Sequence, residues 1–79
     1  MDYREAHRFS SHHRKELEKD QACGCFHCTK IFNPAEITDW VDDGDTALCP
    51  YCGIDSVIGE SSGFPITDKF LKGMNKMWF

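Results

Sequence analysis

The sequence lacks long apolar segments. No stretch approaches the roughly 20 consecutive apolar residues that a helix needs to cross a bilayer. The N-terminus, residues 1–5, carries charges where a secretory signal would have an apolar segment. These absences argue against a membrane-spanning protein and against an exported one. We therefore expect a cytoplasmic protein with no membrane partner, in a reducing compartment where thiols stay available for metal.

Basic residues are missing from the middle of the chain. Residues 31–68 contain no Lys or Arg, and the formal net charge of the whole chain is −4. The same stretch contains eight carboxylates: Glu36, Asp39, Asp42, Asp43, Asp45, Asp55, Glu60 and Asp68. Nucleic-acid affinity depends on Lys and Arg at phosphates, so this stretch offers no surface for DNA or RNA. The last eleven residues, by contrast, carry only the basic charges of Lys69, Lys72 and Lys76.

The chain is short, with 79 residues, of which 41% are apolar. A chain of this length builds a small core and usually needs disulfides, a metal or a partner to fold firmly. Its five cysteines are the candidates for that stabilising role. Their odd number, and the two closely spaced pairs among them, favour metal ligation over disulfide bonds.

Two Cys-x-x-Cys pairs define the candidate metal site. The first is Cys25-Phe26-His27-Cys28, and twenty residues later the second begins, Cys49-Pro50-Tyr51-Cys52-Gly53. Two residues between paired cysteines let a tight turn direct both sulfurs at one ion, and four thiolates complete the tetrahedral shell of structural zinc. The predicted ligands of one structural Zn²⁺, with iron as the minor alternative, are Cys25, Cys28, Cys49 and Cys52.

Cys23 and the histidines lie outside this pattern. We interpret Cys23 as a spare thiol beside the site, and two alternatives stay open: it replaces Cys25 as a ligand, or it is a reactive thiol. His27, inside the first pair, is expected to point outward. His12 and His13 are expected on the surface.

Residues 1–21 are predicted to form an N-terminal helical arm. Ser10 or Ser11 has the side chain of a helix N-cap. Arg14 and Glu18 lie four residues apart and are spaced to pair on one helix face. The apolar stripe of this arm is thin, so we expect the arm to pack loosely or to dock onto a partner.

Residues 22–64 are predicted to form a metal-bound ribbon of short antiparallel hairpins. Two strands, residues 37–41 and 46–48, flank the sequence Asp42-Asp43-Gly44-Asp45. Asp and Gly tolerate the positive φ that a tight hairpin turn needs. Residues 54–58 are an apolar run that we predict to be a third strand.

Residues 65–79 are predicted to form a C-terminal amphipathic helix, with Thr67 or Asp68 as its N-cap. Gly73 weakens this helix by up to ~1 kcal/mol relative to Ala. The apolar stripe of the helix consists of Phe70, Leu71, Met74, Met77 and Trp78. The three segments together are expected to make one compact α+β domain, a small metal-bound ribbon flanked by helices.

The cysteine pairs resemble those of the zinc-ribbon fold group, which carries two such turns on β-hairpins. The second pair, with Pro50 and Gly53, is the most typical element of that group. The run from Cys23-Gly24-Cys25 through Trp40 and Thr46-Ala47 to residues 52–59 (Cys-Gly-Ile-Asp-Ser-Val-Ile-Gly) is similar to a family of short bacterial cytoplasmic proteins of unknown function. This resemblance implies a fold and a compartment but no activity.

Rubredoxins, which bind iron through four cysteines, share the second pair. The first pair departs from theirs, because Thr29 rather than Gly follows Cys28. This departure favours zinc over an electron-transfer iron centre.

These features predict a non-catalytic zinc-ribbon module that binds another protein as an adaptor or regulator. Catalytic zinc keeps one position open, and four cysteines leave none, so we do not expect an enzyme. The alternative is a nucleic-acid-binding ribbon that uses the basic terminal segments. A minor alternative is a small acidic inhibitor, suggested by the carboxylates of residues 31–68.

Overall fold

A computed structural model describes residues 2–79, with helices at both ends and antiparallel strands between them. The α-helices of this part of the chain are α1 (Tyr3–His7), α2 (Arg14–Leu17) and α3 (Asp68–Trp78). Short 3₁₀ turns cover Arg8–Ser10, Pro34–Glu36 and Glu60–Ser62. The strands are β1 (Cys23–Cys25), β2 (Ile31–Phe32), β3 (Trp40–Val41), β4 (Thr46–Ala47) and β5 (Val57–Gly59). The predicted α+β class, with antiparallel strands flanked by terminal helices, is confirmed.

The strands form two antiparallel sheets. The larger has the order β2–β1–β5, with Gly24 of β1 opposite Ile31 on one side and opposite Ile58 on the other. The smaller pairs β3 with β4, with Trp40 opposite Ala47. No helix in residues 2–79 has the length and apolar composition that crossing a bilayer requires.

The aspartate-rich turn forms as predicted between β3 and β4. Asp42, Asp43 and Gly44 all have positive φ, at 54°, 58° and 82°. The strands are shorter than predicted because neighbouring residues bond elsewhere. The Ile37 N–H donates to Pro34 O at 3.1 Å and ends a 3₁₀ turn, and Ile54 O accepts from the Cys49 N–H at 3.0 Å.

Buried side chains lie on both faces of the larger sheet. Consecutive residues of a strand point to opposite faces, and Val57 and Ile58 of β5 accordingly belong to different clusters. The metal-side cluster consists of Leu17, Cys23, Cys25, Phe32, Ile37, Ala47, Cys49 and Val57. The helix-side cluster consists of Ala6, Phe26, Ile58, Phe70, Leu71 and Met74. The sheet therefore separates the buried cysteine side chains from the buried side chains of α3.

The N-terminal arm is packed against both clusters, so the expectation of loose packing is wrong. Ala6 and Leu17 are fully buried, one in each cluster. The end of the arm is attached to the 3₁₀ turn after β5, since the Asp20 carboxylate accepts from the Ser61 N–H at 3.0 Å. Ser10 and Ser11 do not cap α2, and the Ser10 hydroxyl donates instead to His7 O at 2.7 Å. The predicted Arg14–Glu18 pair forms, with 3.3 Å between Nε and Oε2.

His13 is buried, contrary to the prediction of a surface position. It is 6% exposed and joins the arm to β4. The Ala47 N–H donates to Nε2 at 3.1 Å, so the ring proton lies on Nδ1, which donates to Phe9 O at 2.8 Å. Both ring nitrogens are satisfied only in this neutral tautomer. Burial lowers the pKa of His13, against smaller opposing effects of the Phe9 carbonyl, Asp45 and Glu16.

Helix α3 follows the prediction closely. The Thr67 hydroxyl accepts from the Phe70 N–H at 3.2 Å and caps the helix. Phe70, Leu71 and Met74 are buried, whereas Met77 and Trp78, at the end of the predicted stripe, are exposed. Gly73 is where α1 approaches α3, since a Cβ added there would overlap the Tyr3 ring. The residue that weakens the helix thus allows the two helices to pack.

We expect Gly73→Ala to destabilise the protein by about 1–3 kcal/mol, because the added methyl displaces the Tyr3 ring. Helix propensity alone predicts the opposite sign, by up to ~1 kcal/mol. In a Tyr3→Ala background the overlap is gone, so the same substitution should stabilise. Denaturant unfolding of the wild type, the two single variants and the double variant measures this double-mutant cycle. Stabilisation by Gly73→Ala in both backgrounds would show that the close approach carries no cost.

Stability should fall as the pH is lowered through 6.5, because the unfolded chain protonates His13 near the ordinary value of 6.5 and the folded chain only at a lower pH. This contribution is fully present above pH 6.5 and is lost as the pH falls toward the lowered pKa. The free energy of unfolding is measured in denaturant for metal-loaded wild type and for metal-loaded His13→Gln, over a rough working range of pH 7.5 to 5. The difference between the two proteins isolates the effect of His13. The fall should be smaller in His13→Gln than in the wild type, and parallel curves for the two proteins would contradict it.

Candidate metal centre

The structure brings the four predicted ligands together. The Sγ atoms of Cys25, Cys28, Cys49 and Cys52 all lie within 4.8 Å of one another. The distance is 3.6 Å from Cys25 Sγ to Cys52 Sγ and 3.7 Å from Cys28 Sγ to Cys49 Sγ. Zinc–sulfur bonds of about 2.3 Å in a regular tetrahedron place the sulfurs about 3.8 Å apart. Disulfide sulfurs lie about 2.05 Å apart, and all five cysteines are free. The arrangement therefore fits one four-coordinate cation.

The two Cys-x-x-Cys turns, here called the first knuckle (residues 25–28) and the second knuckle (residues 49–52), share one hydrogen-bond pattern. In the first, Thr29 N–H donates to Cys25 O at 2.7 Å and Cys25 N–H donates to Lys30 O at 3.0 Å. In the second, Gly53 N–H donates to Cys49 O at 2.9 Å, and Cys49 N–H donates to Ile54 O. Both knuckles thus use the same type of backbone turn to position their sulfurs.

An amide inside each knuckle points at its leading sulfur. The His27 N–H donates to Cys25 Sγ at 3.3 Å, and the Tyr51 N–H donates to Cys49 Sγ at 3.4 Å. Such amides offset part of the negative charge of a thiolate. The site is therefore prepared for anionic sulfur, the form in which cysteine binds metal.

The residue after each knuckle has a left-handed backbone conformation. Gly53 has φ 79°, and Thr29, at the equivalent position, has φ 65°. A β-branched residue rarely adopts this conformation. Thr29 therefore makes the turn that glycine makes in the second knuckle, and the departure from the rubredoxin pattern leaves the backbone geometry of the first knuckle intact.

The four thiols differ in their electrostatic surroundings. Burial raises the pKa of Cys25, but hydrogen bonds from the Ser56 hydroxyl and the backbone outweigh it, so its pKa lies below the ordinary value. Burial raises the pKa of Cys49, and it raises that of Cys52 to about 12. Neutral thiols are therefore favoured at some positions of the metal-free site, and a bound cation is needed to hold all four as thiolates.

Exposure also differs among the four. Cys25 and Cys49 are buried, whereas Cys28 and Cys52 are half-buried. The first knuckle is covered on its outer side by the end of α3, where the Asn75 side-chain amide donates to His27 O at 2.9 Å. The Phe79 ring meets the His27 ring edge-on, with the centroids 4.6 Å apart.

Cys23 lies beside the site and not within it. It is two residues before Cys25 on β1, so both side chains point to the same face. Its Sγ donates to Phe32 O at 3.5 Å, and burial raises its pKa to about 12. A buried thiol with so high a pKa is a poor nucleophile. Among the three interpretations of Cys23, this geometry favours a spare thiol.

His27 is exposed, as expected for a residue that points out of the knuckle. Ser56, by contrast, was missed by the sequence analysis. Its hydroxyl oxygen lies 3.0 Å from Cys25 Sγ. A serine between Asp55 and Val57 carries no spacing signal of its own, so only the fold reveals this contact.

Comparisons with protein-family models, with curated proteins and with solved structures found no match. The resemblances to the zinc-ribbon fold group and to a family of short bacterial proteins therefore stay predictions. The metal centre rests on the geometry of the chain itself.

Replacing any one of Cys25, Cys28, Cys49 or Cys52 with Ser should reduce bound metal from about one ion per chain to a small fraction, because a three-sulfur site loses most of its affinity. Cys23→Ser is the matched control and should keep its metal. Elemental analysis of the purified variants measures the content, and far-UV circular dichroism before and after chelation measures the dependence of the fold. If Cys23→Ser lost the metal and Cys25→Ser kept it, the ligand assignment would be wrong.

Proposed function

We propose that the chain is a zinc ribbon, with one structural Zn²⁺ bound by Cys25, Cys28, Cys49 and Cys52, in a reducing cytoplasm. The observation that supports this most is the equivalence of the two knuckles together with sulfur separations close to a tetrahedral edge. Tetrahedral four-sulfur sites bind zinc or iron. Elemental analysis of protein from the native host distinguishes the two.

The proposed ion stabilises the fold rather than reacts. Structural zinc contributes about 10–16 kcal/mol of apparent binding free energy in small domains, which is comparable to the whole stability of a typical domain. The strands here have only two or three residues each, so they offer little stability without closure of the knuckles. Because sulfur supplies all four corners, no position stays open for a substrate, and we propose a non-catalytic role.

The proposed role is binding another protein through exposed side chains of α3 and of the chain end. We define the C-terminal face as Lys69, Lys72, Lys76, Met77 and Phe79. The three lysines recur at helical spacing and are exposed, opposite the buried side of the helix. Phe79 is 61% exposed and Met77 is 47% exposed. Met and aromatic residues are enriched at protein interfaces.

The ion pairs of Arg8 and Arg14 support a protein partner over a nucleic acid. The Arg8 guanidinium lies 2.7 Å from Glu5, and Arg14 pairs with Glu18 and also stacks on Trp40. Phosphate binding needs several cations on one surface. These arginines instead form ion pairs with neighbouring carboxylates.

Capture from native-host extract under mild cross-linking tests the proposal. We expect a defined protein to bind the zinc-loaded chain, and Met77→Ser/Phe79→Ser to weaken that binding at least about tenfold, as for other exposed anchor residues. Ile31→Ser is the matched control, since Ile31 is 48% exposed on the edge strand β2 and lies outside the C-terminal face.

Each variant is first checked for zinc content, because Phe79 also touches the first knuckle. Binding that survives the double substitution would contradict the C-terminal face as the interface. Binding that disappears after nuclease digestion would replace the protein partner with a nucleic acid.

A further inference from the structure

Ser56 places a buried hydroxyl directly on one of the four sulfurs. The residue is 2% exposed, and its Oγ lies 3.0 Å from Cys25 Sγ. A buried hydroxyl is costly unless it is hydrogen-bonded. No buried side-chain polar atom of residues 2–79 lacks a partner, and the side-chain partner that the structure gives the Ser56 hydroxyl is this sulfur.

The direction of this hydrogen bond follows from the chemistry of the site. A metal-bound cysteine is a thiolate and has no proton to donate, so the Ser56 hydroxyl is the donor. The serine is held in place by its backbone, because Ser56 O accepts from the Phe26 N–H at 3.0 Å. The hydroxyl thus reaches Cys25 from the chain that leaves the second knuckle.

This hydroxyl breaks the equivalence of the two knuckles. Ser56 lies four residues after Cys52, and the residue four positions after Cys28 is Phe32. Phe32 has no side-chain donor, so Cys49 receives no corresponding hydroxyl. Cys25 therefore has the amide of its own knuckle and a hydroxyl from the other.

We propose that Ser56 is a positioning residue of the metal centre, whose hydroxyl donates to the Cys25 thiolate and makes Cys25 the most strongly held of the four ligands. The inference rests on the proposed metal site. Four thiolates around a divalent cation leave a net charge of about −2, and Cys25 is completely buried. Hydrogen bonds to a charged sulfur are roughly twice as strong as neutral ones, so the hydroxyl stabilises the metal-bound state more than the metal-free one.

Ser56→Ala removes the hydroxyl with little change of volume. We expect zinc affinity, measured by chelator competition, to fall about tenfold, as for other residues that support metal ligands. In the Co²⁺-loaded protein the sulfur-to-metal charge-transfer band should move to longer wavelength, because a sulfur without this donor gives up its electron density more easily. Ser10→Ala is the matched control, since it removes a buried hydroxyl that donates to His7 O, and it should leave the band unchanged.

An unchanged affinity and an unchanged band in Ser56→Ala would overturn the inference. If this variant does not fold, the wild-type protein loaded with cadmium-113 gives the answer. The Ser56 hydroxyl proton should exchange slowly and show scalar coupling to the cadmium, with the His27 and Tyr51 amides as internal references. Coupling from the amides without coupling from the hydroxyl would overturn the assignment, whereas a wild-type protein that binds no metal would refute the proposed function itself.

Discussion

The convergence of four sulfurs on one point is the constraint on which the rest of this structure depends. The knuckles are separated by twenty residues, and the strands between and beside them are too short to hold a sheet by their own hydrogen bonds. Closing the knuckles fixes β1 and the start of β5 relative to each other. The metal-side cluster then forms around Cys25 and Cys49, and α3 packs against the opposite face of the same sheet.

Local features of the sequence predicted local features of the structure. The Cys-x-x-Cys spacing identified the sulfurs that meet, the aspartates and Gly44 identified the hairpin turn, and the helical period identified α3. The features that sequence analysis missed depend on contacts between distant residues. The burial of His13 requires a backbone amide on β4, and the contact of Ser56 with Cys25 requires both knuckles to be closed. A single side chain in the sequence carries no signal for either.

The N-terminal arm illustrates the same limit. Its few apolar residues suggested weak packing, but two of them are fully buried, and Tyr3 and Phe9 pack half-buried against the helix-side cluster. Leu17 enters the metal-side cluster and Ala6 enters the helix-side cluster. Hydrogen bonds between Asp20 and Ser61, and between Glu60 and the backbone of residues 21–22, hold the end of the arm.

The backbone conformation of Thr29 was likewise not evident from the sequence. Its left-handed conformation costs roughly 1–2 kcal/mol in an L-residue other than glycine, and the hydrogen bonds of the first knuckle maintain it.

The contact of α3 with the first knuckle joins two regions that are far apart in the sequence. Asn75 and Phe79 hold the outer side of the turn whose inner side carries Cys25 and Cys28. In the proposed zinc ribbon, metal binding by the sulfurs and docking of the helix are therefore thermodynamically linked, and the linkage is reciprocal. A molecule that binds α3 only in its docked position would then raise the affinity of the sulfurs for the proposed ion, and removal of that ion would weaken the binding of the molecule.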